Sequence, residues 1–121
     1  MIAGDTAIVP DVKTTQDTDP HMFRRSVIEY GYHLQEAHYT AGIRAAYGVE
    51  KVNFMFLAVE SQEPFEVCLH NLSASDSRKA AKQRLTLLRM LKESMEQSIW
   101  KNDWSVGVNE LEELPDYAFG N

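Results

Sequence analysis

Val52 to Val59 is a nearly continuous apolar run, and it constrains the fold more than any other stretch. A strand covered on one face alternates apolar and polar residues. A run without alternation suits a strand buried on both faces of a sheet. The neighbouring segments fit around it. Ala7 to Val12 predicts a shorter strand, with Gly4-Asp5 as the turn before it. Pro10 has no N–H to donate, so it marks a strand end or an irregular pairing. Thr14 to Asp19 is polar and reads as a loop. Asp19-Pro20 predicts a helix start, with an N-cap followed by proline at the first helical position. Phe23, Val27, Tyr30, Leu34, Ala37, Ala41 and Ala45 recur at steps of three and four. That spacing predicts one apolar-striped helix to about Tyr47, stopped by Gly48.

Ser61 to Pro64 reads as a turn and Phe65 to Leu69 as a strand, so the apolar run and its successor predict a hairpin. Ser73 to about Ile99 predicts a second long helix, capped by Ser73 or Ser75, with Ala81, Leu85, Leu88, Leu91 and Met95 as its stripe. The order strand, helix, strand, strand, helix is mixed α/β: a mixed β-sheet flanked by helices. Residues 1–121 read as one domain, with 101–121 as an irregular C-terminal segment. Within that segment, Leu114-Pro115-Asp116-Tyr117 reads as an extended docking piece.

The net charge is −6. That argues against a general nucleic-acid coat, which would be basic, but not against a nuclease, whose metal ligands are themselves acidic. Glu110, Glu112, Glu113 and Asp116 crowd the tail, while Arg24, Arg25, Arg44 and Lys51 lie earlier. Arg78, Lys79, Lys82, Arg84, Arg89 and Lys92 on the second helix read as a solvated face. No run approaches the roughly 18 apolar residues of a membrane span. Met1 to Pro10 lacks the charged start and long apolar core of a signal peptide. Cys68 is the only cysteine, which excludes an internal disulfide and a cysteine zinc site. A cytoplasmic protein is the simplest expectation.

The end of the first strand carries Asp11-Val12-Lys13. Residues at i and i+2 on a strand point to one face, so Asp11 sets a hard oxygen ligand beside the fixed charge of Lys13. Mg²⁺ chemistry on a phosphodiester uses such a pair. Gln35 and Tyr39, four apart, share a helical face with Gly31, Gly42 and Ala46, small residues that would let another backbone approach. The plainer reading leaves Gln35 at the edge of helix-on-sheet packing. Other candidates carry less. His33 and His38 are five apart, about 140° around a helix, and do not converge on one metal. His21 and His70 have no visible partner. Glu60 and Glu63 flank the hairpin turn and read as solvated, Cys68 as a core residue, and Trp100 and Trp104 as packing anchors. No Gly-rich phosphate loop is present.

Asp11-Val12-Lys13-Thr14-Thr15, followed by Gln35-Glu36-Ala37-His38-Tyr39, resembles the PD-(D/E)xK nuclease superfamily. More closely, it resembles the C-terminal nuclease domain of RecE-type exodeoxyribonuclease VIII and its phage and prophage relatives. The likeness takes in Phe23-Arg24-Arg25, Tyr30-Gly31-Tyr32-His33-Leu34-Gln35 and Phe54-Met55-Phe56-Leu57-Ala58-Val59, weakens through the second helix, and returns loosely around Trp100 and Leu114-Pro115. The resemblance implies a restriction-endonuclease-like core, of which this chain supplies the C-terminal half. It implies a Mg²⁺-dependent exonuclease, with Mn²⁺ as a substitute. Such an enzyme digests linear double-stranded DNA from 5′ ends and works as a ring-shaped homo-oligomer in recombination beside a single-strand annealing protein. By the same resemblance Asp11 and the Val12 carbonyl are metal ligands. Lys13 serves the attacking water and the phosphate charge, and Gln35 and Tyr39 orient the lysine, the water or the DNA backbone.

The sequence departs from that pattern in one respect. Another acidic ligand belongs on the strand before Asp11, and Asp5, beside Gly4, reads as the turn residue instead. A lone carboxylate binds Mg²⁺ poorly, because the ion keeps its waters unless several groups converge. The single chain, read as a truncated portion, is therefore expected to be weakly active or inactive. The alternative is a non-catalytic remnant that oligomerises with, or binds, a related nuclease or DNA.

Overall fold

The computed structural model describes residues 1–99 and 110–120. It forms two compact units, Met1–Leu88 and Arg89–Asn121. The first unit contains a four-stranded mixed sheet in the order β1, β2, β3, β4. Strand β1 (Ile2–Ala3) runs antiparallel to β2 (Thr6–Thr15). Strand β2 runs parallel to β3 (Lys51–Glu60), and β4 (Val67–His70) closes antiparallel on β3. A parallel pair needs a long crossover, supplied here by helices α1 (Pro20–Tyr30) and α2 (Tyr32–Tyr47). Helix α3 (Ala74–Gln97) follows β4. The mixed α/β fold expected from the sequence is the fold observed.

Strand β2 is longer than expected because every residue from Thr6 to Thr15 has a partner on β3. The segment expected as a loop therefore begins as strand. Pro10 lies inside it, opposite Met55. On its other side β2 meets β1 only through Ala7 and Thr6, with Met1 bonded to Ile8 beyond them. From Val9 onward β2 is an edge strand among the described residues, which is where a proline's missing N–H costs least. Asp19 caps α1, its Oδ1 accepting from the His21 and Met22 amides at 2.9 and 3.3 Å, with Pro20 opening the helix. Ser73 Oγ accepts from the Asp76 amide at 3.1 Å at the start of α3.

The single helix predicted from Asp19-Pro20 to Tyr47 is two helices. Gly31 sits at φ 68°, caps α1 through its N–H to the Val27 carbonyl, and restarts the chain as α2. Left-handed backbone costs a residue with a Cβ, and glycine escapes that cost. The break moves the aromatic contact by two residues. Tyr30 is left exposed, while Tyr32 packs at 5.9 Å from Phe56 and 6.2 Å from Phe23. The continuous stripe drawn through Tyr30, Leu34, Ala37, Ala41 and Ala45 is therefore not one face, and no residue of α2 is fully buried.

The core lies between α1 and one face of the sheet. Phe23, Val27, Phe54, Phe56 and Ala58 form it, with Val9, Tyr32, Val52 and Leu72 packed against it. Phe54 and Phe56 meet edge-to-face at 5.5 Å. Each fully buried Phe contributes about 1.5–3 kcal/mol of transfer free energy. The other face is different. Val12, Val67 and Leu69 are exposed there, and Met55, Leu57 and Val59 are only partly covered. The apolar run that predicted burial on both faces is thus buried on one.

Five further expectations change. Glu60 is buried, not solvated, because its register puts it on the same face as Phe54, Phe56 and Ala58. It accepts from the Thr18 amide and hydroxyl and from the Glu66 amide, at 3.2–3.4 Å. Glu63 is exposed, as read. Cys68, opposite Ala58 on the edge strand β4, is half-buried and not a core residue. Phe65 adopts φ 58°, so β4 starts at Val67. Leu85, Leu88, Leu91 and Met95 on α3 are exposed, and only Ala80 of that helix is buried. In the tail, Pro115 is extended, but Asp116–Phe119 form a 3₁₀ turn instead of continuing the extended segment. Trp100, Trp104 and residues 101–109 of the expected irregular segment lie outside the described residues.

Candidate active site

The odd-numbered face of β2 turns Asp11 and Lys13 toward α2. Gln35 meets them one turn into that helix. Its Oε1 lies 2.5 Å from Lys13 Nζ, and its Nε2 donates to the Tyr39 hydroxyl at 3.3 Å. Lys13 Nζ also lies 3.0 Å from Asp11 Oδ2. The ammonium sits 4.4 Å from the centre of the Tyr32 ring, a cation–π distance. Both side chains of the ion pair are largely covered, with 14% of Lys13 and 22% of Asp11 exposed. The structure thus brings Asp11, Lys13, Gln35 and Tyr39 together. Val12 does not join them through its side chain, which is exposed on the opposite face.

Tyr32 was not singled out from the sequence. It precedes Gln35 by three residues and so shares its helical face, which is the signal that could have found it. It depends on the break at Gly31, since a continuous helix would have given the contact to Tyr30. His70 was likewise left without a partner. It stacks on Phe23 at 4.9 Å and bonds the Thr18 carbonyl at 2.8 Å, which makes it a packing residue.

The donor set is small for a divalent cation. Asp11 Oδ2 is buried and makes no hydrogen bond, although Lys13 touches it at ion-pair distance. That contact balances charge without hydrogen-bond alignment. Among the described residues no group of three or more His, Cys, Asp or Glu side chains is placed to share a metal. Asp5 lies beyond the far end of β2, where its Oδ1 accepts from the Glu50 amide at 3.0 Å. Mg²⁺ needs several oxygens in octahedral array. One carboxylate already paired with an ammonium does not complete such a site.

Residues 1–105 match the family described as a PDDEXK-like domain of unknown function (DUF3799). The chain belongs to this PDDEXK-like family. That places the domain at superfamily level among proteins of nuclease type. A crystal structure named "Putative exonuclease", from Eubacterium rectale, superimposes with a TM-score of 0.60 at 15% sequence identity. The match covers 94% of this chain and 46% of that one, so the PDDEXK-like domain spans less than half the neighbour's length. At that identity the likeness concerns the fold. Comparison with curated proteins gives no match. No helix among the described residues is long and apolar enough to cross a membrane.

Proposed function

We propose that this PDDEXK-like domain carries the lysine half of a DNA-hydrolysing site of exonuclease type. The observation behind this reading is the placement of Lys13 between Asp11 and Gln35 on the strand and helix that form the motif. In phosphodiester hydrolysis a fixed ammonium offsets charge on the phosphate as the bond breaks. Gln35, itself steadied by Tyr39, holds that ammonium in place. A further carboxylate, supplied from outside the described residues, would have to join Asp11 before Mg²⁺ or Mn²⁺ could bind tightly. The open edge of β2 from Val9 onward is the side from which a strand could present it. The finer reading is a 5′-to-3′ exonuclease on linear double-stranded DNA, a RecE-type activity working as a homo-oligomer beside a single-strand annealing protein. It is supported by the sequence resemblance and is in keeping with the name of the Eubacterium rectale neighbour.

The alternative is a non-catalytic member that binds DNA or a related nuclease, and the single available carboxylate favours it. The form of the DNA separates the readings. The purified chain, with Mn²⁺, is given linear duplex labelled at its 5′ or 3′ ends and covalently closed circular duplex. Exonuclease action from 5′ ends releases the 5′ label first and spares the circle. Equal loss of both DNA forms would overturn the exonuclease reading, and no loss of either would favour the non-catalytic one.

A further inference from the structure

A second polar cluster lies on the neighbouring face of α2. Gln35 and Glu36 are consecutive, so their side chains leave the helix about 100° apart. Gln35 turns to Lys13, while Glu36 turns to α3. Between α2 and the first half of α3 is an open cleft of about 400 Å³. Its polar lining includes Glu36, Thr40, Arg44, Ser77, Arg78 and Arg84. None of Asp11, Lys13, Gln35 or Tyr39 lines it.

The charges in this cleft are unbalanced. Three guanidinium groups and one carboxyl share it, in a chain whose net charge is −6. An arginine beside a half-buried carboxylate frequently pairs with it in two-pronged fashion. Here no ion pair joins Glu36 to any arginine among the described residues. Arg84 Nε points instead to His38 Nδ1 at 3.1 Å, and Arg44 Nε donates to the Glu50 carbonyl at 3.2 Å. Each of those bonds uses the Nε side of the fork, and among the described residues the terminal nitrogens make no side-chain hydrogen bond. Glu36 Oε1 accepts from Ser77 Oγ at 3.4 Å, and its Oε2 is buried with no hydrogen-bond partner. A buried polar atom without a partner is uncommon and invites a ligand or water.

We propose that the α2–α3 cleft is an anion site for the phosphate of a nucleotide, held by Arg44, Arg78 and Arg84. Guanidinium forks match phosphate oxygens in geometry and charge. The Thr40 and Ser77 hydroxyls can donate to the same group. Burial raises the Glu36 carboxyl above its ordinary value, which the Ser77 hydrogen bond opposes only in part. A carboxyl shifted in this direction opposes an incoming phosphate less than an ordinary carboxylate would. The volume suits a nucleoside monophosphate, and the opening would equally admit the end of a DNA strand. The inference concerns anion recognition alone and stands whether or not the Asp11–Lys13 cluster cleaves DNA.

The test is binding by isothermal titration with EDTA present. The probes are deoxyadenosine monophosphate and a short single-stranded oligonucleotide carrying a 5′-phosphate or a 5′-hydroxyl. Saturable binding of at least one phosphorylated probe is expected, weakened about tenfold or more in Arg78→Gln/Arg84→Gln. These exposed or half-exposed arginines pack little, and far-UV circular dichroism checks that the variant folds. If the phosphorylated oligonucleotide binds more tightly than its hydroxyl twin, the source is a strand end. If only the mononucleotide binds, the source is free nucleotide. Absence of saturable binding by every probe, or binding that survives the double substitution, overturns the proposal.

Discussion

Gln35 holds Lys13 from across the crossover: the helix amide oxygen lies 2.5 Å from the strand ammonium, 22 positions away in sequence. The lysine stem is flexible, and without this bond its charge would be tethered only by Asp11 and the Tyr32 ring. Gln35→Leu should therefore lower Mn²⁺-dependent DNA cleavage about tenfold to a hundredfold, the range found when a group that orients a site residue is removed. Far-UV circular dichroism and the urea midpoint should stay close to wild type, since Gln35 is only partly buried.

Gly31 marks the point where one predicted helix becomes two. A Cβ there meets nothing within 4 Å, so only its φ of 68° resists substitution. Gly31→Ala should cost about 1–2 kcal/mol, read as a lower urea midpoint at unchanged slope. An unchanged or raised midpoint would show that the continuous helix is accessible after all.

Glu60 anchors the loop ahead of α1 to the end of β3. Removing its carboxylate leaves the buried Thr18 without its acceptor. Glu60→Ala should destabilise the fold by about 1–3 kcal/mol. Glu60→Gln should cost less, because an amide oxygen can still accept. Chemical denaturation of the two variants side by side measures the difference.

Glu36 predicts a pH dependence. Its folded-state carboxyl is shifted up by burial, so folding favours the proton. That stabilisation is fully present below the unfolded value and is lost as pH rises through the folded one. His33, Arg44, Ser77, Arg78 and Arg84 face the same cleft and remain in both proteins compared. Glu36→Gln, which cannot charge, should gain thermal stability relative to wild type as pH rises from about 4 to 7. A difference that stays flat with pH would contradict the assignment.

The uncovered sheet face predicts self-association. Val12, Val67 and Leu69 present exposed apolar surface beside an open strand edge, a combination that natural proteins normally cover or interrupt with charge. Light scattering of the purified chain should show concentration-dependent oligomers, reduced in Leu69→Lys.

Much of this arrangement was legible in the residues. The Asp11–Lys13 spacing fixed their common face, because strand side chains alternate strictly. The Gln35–Tyr39 spacing fixed theirs on the helix. Asp19-Pro20 and Ser73 marked two helix starts by capping chemistry alone. Other features were hidden because they depend on tertiary context. Gly31 fits a helical stripe by spacing, and only packing of Tyr32 against Phe23 and Phe56 makes the break worthwhile. Glu60 looks like a turn residue until the β2–β3 register carries it to the buried face. The Glu36 cleft joins α2 to α3 across about forty residues of sequence, and no local pattern announces it. The apolar run at Val52–Val59 spoke for two covered faces, and one is open among the described residues.

The most direct test of the central claim is cleavage of linear duplex DNA by the folded chain with Mg²⁺ or Mn²⁺, with Asp11→Ala and Lys13→Ala in parallel. A real but incomplete site predicts weak cleavage, stronger with Mn²⁺, rising steeply with protein concentration and lost in both variants. Wild-type cleavage no higher than that of the variants would contradict the nuclease reading. Rapid cleavage by dilute monomer that both substitutions abolish would contradict the claim that one carboxylate leaves the metal site unfinished.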